Sequence, residues 1–316
     1  MSALGLGLGL GAHRIVDRYG NMPATFTVTA GDGTKYVRVQ VSETTTVTPA
    51  GGTSIRIGTT GDFVTTPLNL VPNTNQFIYF LGAGSFTIPQ RKLVTNIYPD
   101  LGSSVIAVDI TGMELTTIHF FNLGSSIITG DITGMKSTLT YLSLNTMGSS
   151  IITGDITGMK LTFLYIYSLG SSVIRGDIAG MELTALYLNA IGSSLSYGTN
   201  PLNITNNNGI QLLGNTVFAT DAEYEQLFID AAASTWSHQT TRPLTITGSG
   251  KNFHRDYYDW GTFSATSGAS SPTPSAIAIK SLVSRGTNPV VVTLEGISAY
   301  SYAGGFPENF ENWWAE

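Results

Sequence analysis

Residues 123–146 read LGSSIITGDITGMKSTLTYLSLNT, and residues 147–168 read MGSSIITGDITGMKLTFLYIYS. The phrase occurs before them as LGSSVIAVDITGMELTTIHFFN from Leu101 and after them as LGSSVIRGDIAGMELTALYLNA from Leu169. A fifth copy opens at Ile191 with IGSSLSYG and decays. The period is 22 residues, stretched once to 24 where extra residues enter after Lys136. A unit this short cannot close a core alone, so the units must stack and share one. Parallel strands stacked about 4.8 Å apart set equivalent residues in columns. Ile110, Ile132, Ile156 and Ile178 then form a core column. Gly112, Gly134, Gly158 and Gly180 form a column of turns that need positive φ or close backbone approach.

Each unit also carries L-x-x-L-x-L, as in Leu139, Leu142, Leu144 and Leu183, Leu186, Leu188. On these residues the stretch from about 97 to 200 resembles the leucine-rich repeat family. The GDI segment is similar to leucine-rich variants whose convex side also forms a short strand. The resemblance implies a solenoid whose x positions face outward on a concave strand surface.

An open solenoid needs both ends covered, and the flanks suit that task. Residues 21–96 hold alternating strand material (ATFTVTA, KYVRVQV, TSIRIG, QFIYFLG) broken by turns at Gly31-Asp32-Gly33 and Pro49-Ala50-Gly51-Gly52, which predicts a small β domain. Beyond residue 205 the period becomes helical. Thr220 and Glu223 form a capping box ahead of Tyr224, Leu227, Phe228 and Ala231 on one face. A second helix is expected from Pro274 to Arg285, with the strand PVVVTLEG after it. This order resembles the C-terminal caps of leucine-rich proteins in phage tails and fibres. The expected fold is mainly β: an N-terminal β domain, a short solenoid and an α/β cap. The expected divisions are a Gly-Leu attachment segment at 1–20, the β domain at 21–96, the solenoid at 97–200, the cap at 201–296 and an aromatic tail at 297–316.

Composition narrows the function. Of 316 residues, 42% are hydrophobic, so a sizeable core is available, and only 11% are charged, against roughly 25% in an ordinary soluble domain. Low charge with abundant Gly, Ser and Thr fits β-rich extracellular or virion proteins better than cytosolic enzymes. The net charge of −6 argues against nucleic-acid binding. The absence of Cys removes disulfides, thiolate metal sites and Cys nucleophiles together. MSALGLGLGLGA at the start lacks the charged and apolar regions of a secretory signal, and no stretch approaches a membrane span. Release by lysis, as for a virus particle, or another export route would reconcile an extracellular style with that start.

Catalytic signals are thin. The four His are His13, His119, His238 and His254, and none sits in a zinc-protease, nucleophile-elbow or phosphate-loop pattern. The cluster His254-Arg255-Asp256-Tyr257-Tyr258-Asp259-Trp260 reads as a loop with local salt links. Asp109, Asp131, Asp155 and Asp177 recur once per repeat. One carboxylate per turn suits a side chain accepting backbone N–H bonds better than a calcium ladder. No metal, no cofactor and no enzymatic activity are expected.

The outward columns are more informative. They read Thr117, Tyr141, Phe163, Ala185; then His119, Ser143, Tyr165, Tyr187; then Phe121, Asn145, Tyr167, Asn189. Aromatics crowd these columns although they are 10% of the chain, and no position carries a charge. A solvated sheet face with no other duty usually recruits charges. His119, Phe121, Tyr141, Phe163, Tyr165, Tyr167 and Tyr187 are therefore the candidate ligand-binding residues, suited to sugar stacking or a protein partner. High strand propensity and burial against another subunit are the competing explanations.

The Gly-Leu opening is similar to that of phage virion proteins. That resemblance implies a tail or fibre protein on the virion surface, with residues 1–20 docked on other virion proteins and the solenoid face turned to a host glycan or protein receptor. Such fibres are commonly homotrimers, so a homo-oligomer is expected, without membrane insertion. The alternatives are a head-decoration or tail-assembly protein with the aromatic face buried by neighbours, a bacterial surface adhesin, and a glycan-cleaving enzyme.

Overall fold

The computed structural model describes residues 19–101, 104–189, 195–198, 203–204, 210–213, 221–233, 244–247, 278, 281 and 292–295. They are mainly β, with a β-solenoid of about four turns. Two compact units are present. One holds residues up to Lys160 together with Ser168–Arg175, and the other holds Leu161–Tyr167 and the chain from Gly176 onward. Residues 1–18 of the expected attachment segment, the C-terminal aromatic tail, the His254–Trp260 cluster and Thr220 lie outside the described residues.

The first unit begins with β1 (Ala24–Ala30), β2 (Asp32–Val41), β3 (Thr45–Ala50), β4 (Ser54–Ile57), β5 (Leu68–Leu70), β6 (Gln76–Leu81), β7 (Gly84–Ile88) and β8 (Val94–Asp100). Period-2 alternation decides their faces. Val37, Val39 and Val41 of β2 are fully buried, while Tyr36, Arg38 and Gln40 point the other way. β1 does the same with Ala24, Phe26 and Val28, and Phe26 stacks on Phe86 with ring centres 4.7 Å apart. Sheet 1 runs β5-β3-β7-β1 and sheet 2 runs β4-β6-β2-β8, all antiparallel, with the core between them.

The repeats enlarge those same two sheets. From the GSS-V/I-I segments come β9 (Val105–Asp109), β11 (Ile127–Asp131), β13 (Ile151–Asp155) and β15 (Val173–Asp177). From L-x-x-L-x-L come β10 (Thr117–Phe121), β12 (Tyr141–Asn145), β14 (Phe163–Tyr167) and β17 (Ala185–Asn189), with the two-residue β16 (Glu182–Leu183) ahead of the last. β9 pairs antiparallel with β1, and β8 pairs parallel with β10. The N-terminal sandwich therefore continues into the solenoid without a seam, and β8 itself spans residue 96.

The two sheets are paired differently. In the L-x-x-L-x-L strands, repeat-equivalent residues face each other, as in Leu164↔Leu186 and Ile118↔Leu142. In sheet 1 each strand is slipped by two residues, so that Ile127 faces Ala107, Ile151 faces Thr129 and Val173 faces Thr153. The slip brings Gly130 over Ile110, where a Cβ would come within 2.6 Å of the isoleucine Cγ1. Gly154 sits likewise over Ile132. Val108 holds the equivalent position in the first repeat because its neighbour is Phe26 of β1 and no earlier turn lies beneath it. Ile110, Ile132, Ile156 and Ile178 are all fully buried.

Hydroxyl groups tie successive turns. Ser150 Oγ is buried, accepts from Ile128 N at 2.8 Å and donates to Ser126 O at 3.1 Å. Ser172 repeats this with Ile152 N and Ser150 O, and Ser126 accepts from Ile106 N. Ser104, which has no turn before it, is left with an unpaired Oγ. Thr140 and Thr184 donate to the carbonyls of Thr116 and Thr162. Neutral ladders of this kind carry no like-charge repulsion between stacked copies, which fits the low charge of the chain. Gly112, Gly158 and Gly180 adopt φ of 78, 73 and 72°. Gly134 departs from the expected column: it lies in a 3-10 turn, Thr133–Met135, in the one repeat that carries extra residues.

In the second unit, β14 and β17 are followed by β18 (Leu195–Ser196), β19 (Asn203–Ile204), β20 (Ile210–Leu213), α1 (Asp221–Ala233), β21 (Leu244–Thr247) and β22 (Val292–Glu295). β17, β20, β21 and β22 are parallel neighbours in that order. The helical face expected from the sequence is seen in α1, with Leu227, Phe228 and Ala231 fully buried. Tyr197 is fully buried, and its hydroxyl donates to the buried Asp230 at 2.6 Å. Glu223 accepts from Tyr197 N at 2.9 Å. Of the helix expected at Pro274–Arg285, only Ala278 and Ser281 are described, both helical.

Candidate recognition face

The registers reproduce the columns read from the sequence. In the first unit Thr117, His119 and Phe121 face Tyr141, Ser143 and Asn145. In the second, Phe163, Tyr165 and Tyr167 face Ala185, Tyr187 and Asn189. Strand alternation turns the partners Ile118, Phe120, Leu142, Leu164, Ile166, Leu186 and Leu188 into the core. The seven candidate residues thus fall into two groups, one per unit.

In the second unit Tyr187 lies 5.6 Å from Tyr165 and 6.4 Å from Phe163, ring centre to ring centre, at tilts of 44° and 38°. Such tilted contacts are favoured by the ring quadrupoles. Tyr167 stands at the strand end, 43% exposed, while the small Ala185 is buried. In the first unit His119 is 5.9 Å from Tyr141, and Phe121 is 50% exposed. Burial, with the Arg38 guanidinium as a second cause, lowers the His119 pKa from its usual value. Its imidazole is therefore neutral at pH 7, offering one donor and one acceptor. Burial likewise raises the Tyr141 phenol.

Sequence columns stopped at the solenoid, but the face does not. Tyr98 of β8 meets His119 edge-on at 5.0 Å, and Arg38 of β2, opposite Tyr98, holds its guanidinium 4.7 Å above that ring. Further along, Tyr36 contacts Phe77 and Tyr79 at 5.1 and 5.3 Å. Arg56 of β4 lies 4.6 Å from the Phe63 ring centre and 5.0 Å from Tyr79. Apart from Phe63, the missed residues are the outward members of KYVRVQV, TSIRIG, NIYPD and QFIYFL, whose alternation was visible. Their placement beside His119 depends on the long-range β2–β8 pairing, which no periodicity encodes.

The Asp column is engaged elsewhere, at the opposite sheet. Asp109, Asp131 and Asp155 each accept, through Oδ1, the N–H of the residue two positions on: Thr111, Thr133 and Thr157. These are Asx turns. The slip in sheet 1 also carries successive carboxylates to roughly 8 Å apart, by two residues along and one strand across. Asp109 additionally pairs with Arg91 at 2.8 Å. Burial opposes the charged form, but the Arg91 and Thr111 hydrogen bonds outweigh it, so the Asp109 pKa is lowered. Among the described residues no three His, Asp or Glu side chains gather as metal ligands, and no helix is long and apolar enough to cross a membrane.

No protein family matches the chain, and no curated protein or solved structure matches it.

Proposed function

We propose that this chain is a non-catalytic recognition protein of a virion surface, a tail or fibre component that binds a host glycan or protein receptor through the outward face of its solenoid strands. The reading treats the repeats as leucine-rich and the α/β segment as the cover of one solenoid end. The observation that carries it is the outward face itself: Tyr, Phe, His and Asn on adjacent strands, with no carboxylate or ammonium among the columns. Glycoside hydrolysis needs a pair of carboxyl groups at the scissile bond, and these strands supply none. Aromatic rings with interspersed amides provide apolar contact area and directional hydrogen bonds, the mixture that sugar and protein ligands require. Other virion proteins at the N-terminus and further copies of the chain are the remaining partners in this reading.

The test is a double change, Tyr165→Ser with Tyr187→Ser. Removing two anchors should weaken attachment to host cells by roughly tenfold or more, since one buried aromatic contributes about 2 kcal/mol at a binding hot spot. Both side chains point away from the core, so the melting temperature should move little. Unchanged cell binding with dissociated oligomers would instead make the face a subunit contact. Unchanged binding and assembly would leave the aromatics as strand formers only.

A further inference from the structure

Two arginines on the outward face of the first unit rest on aromatic rings and each leaves a buried N–H unpaired. Arg38 is fixed over Tyr98, and its buried Nε has no hydrogen-bond partner. No carboxylate pairs with it among the described residues; the acid on the neighbouring strand, Asp100, is bound by Lys35 at 3.1 Å. Arg56 repeats the arrangement. Its guanidinium lies near the rings of both Phe63 and Tyr79, its buried Nε is unpaired, and among the described residues it donates one long hydrogen bond of 3.4 Å, to Gly61 O. A buried, unpaired N–H costs stability, and natural structures keep few such groups. Nearby, Asn96 Oδ1 is also buried and unpaired.

The surroundings select the ligand. A guanidinium held over an aromatic ring keeps its N–H groups for a planar, forked acceptor such as a carboxylate, which can bridge Nε and one Nη. The floor beside Arg38 is Tyr98, a neutral His119 and Tyr141, which offers ring faces and single hydrogen bonds, as a sugar demands. The spacing adds a second constraint. Arg38 faces Phe77 on β6, while Arg56 faces Tyr79 on the same strand. The two arginines are thus two strands across and two residues along, a diagonal of roughly 12 Å. That is the scale of a short run of linked pyranose rings.

We propose that this face binds an acidic oligosaccharide, with one uronate-type carboxylate on Arg38, its ring against Tyr141 beside His119, and a second carboxylate on Arg56. The inference rests on the recognition reading above and names its ligand class.

The experiment uses the full chain and two probes, a polygalacturonate hexamer and the same hexamer with its carboxyl groups reduced to alcohols, followed by calorimetry. The acidic probe should bind at least tenfold more tightly than the reduced one. Arg38→Gln should abolish most of that difference. Arg38→Lys should retain only part of it, because an ammonium keeps the charge but loses the fork and the stack. Arg56→Gln should weaken the hexamer while leaving galacturonic acid itself unaffected. Equal affinity for the two hexamers, no binding of the acidic one, or full binding by a folded Arg38→Gln protein would each overturn the inference. Competition by oligo-dT at matched charge would also overturn it, by reducing the site to unselective anion attraction. If Tyr165→Ser with Tyr187→Ser loses cell attachment while the hexamers bind equally, the recognition reading stands and the acidic ligand falls.

Discussion

Two polar residues of the same repeat should respond very differently to truncation. Ser150 Oγ is buried and serves two partners in the turn before it, so Ser150→Ala leaves Ile128 N–H without an acceptor inside the protein. A loss of about 1–3 kcal/mol is expected from denaturant unfolding. Asp155 holds Thr157 N–H at a half-exposed turn that water can reach, so Asp155→Ala should cost less, about 1 kcal/mol. The reverse order would mean that the aspartate, not the serine, ties the turns. His119 gives a pH signature. Its folded pKa lies below the ordinary 6.5, through burial first and Arg38 second, beside Tyr98 and Tyr141. Between 6.5 and that lower value the unfolded chain binds a proton that the native one does not. Stability should therefore fall as pH drops through this window and be flat just above it. His119→Asn should remove that part of the pH profile; an unchanged slope would assign it to other groups.

At the scale of elements, α1 is fastened through Tyr197 by polar links to Glu223 and Asp230 beside an apolar contact. Tyr197 donates to Asp230, which also accepts from Gln226 Nε2 at 2.8 Å, while Leu227, Phe228 and Ala231 bury the rest of the helix face. Tyr197→Phe keeps the ring and removes the donor to a buried carboxylate. It should destabilise by about 1.5–3 kcal/mol, the range for a hydrogen bond to a charged group. Hydrogen exchange should localise the effect to Asp221–Ala233; an effect confined to other segments would refute the link. The helix was legible because its apolar spacing is local. The paired registers were not. Aligning the repeats suggests that equivalents face each other everywhere, and only the substitution of Val108 by Gly130 and Gly154 in later turns hints at the slip. The buried serines were missed for a related reason. GSS looks like a turn, and nothing in one repeat shows that the second serine reaches into the turn before it.

For the whole chain, the repeat, the core columns and the outward aromatics could be read directly, since all three are periodic. The extension of the recognition face onto Arg38, Tyr98 and Arg56 could not. It depends on β2 returning to β8 and on β6 and β4 pairing beyond it, contacts between segments far apart in sequence.

The fit of Gly130 over Ile110, and of Gly154 over Ile132, has a temporal side. β11 and β13 are each shaped to sit on the turn that precedes them, and the Ser126, Ser150 and Ser172 side chains bond backward. The first turn is exempt, since Val108 rests on β1. Synthesis on the ribosome delivers the chain in this same direction, so every new repeat emerges onto a finished template. A nascent chain halted after β13 would already own the surface its successor needs, whereas a chain refolding from its C-terminal end would have to wait.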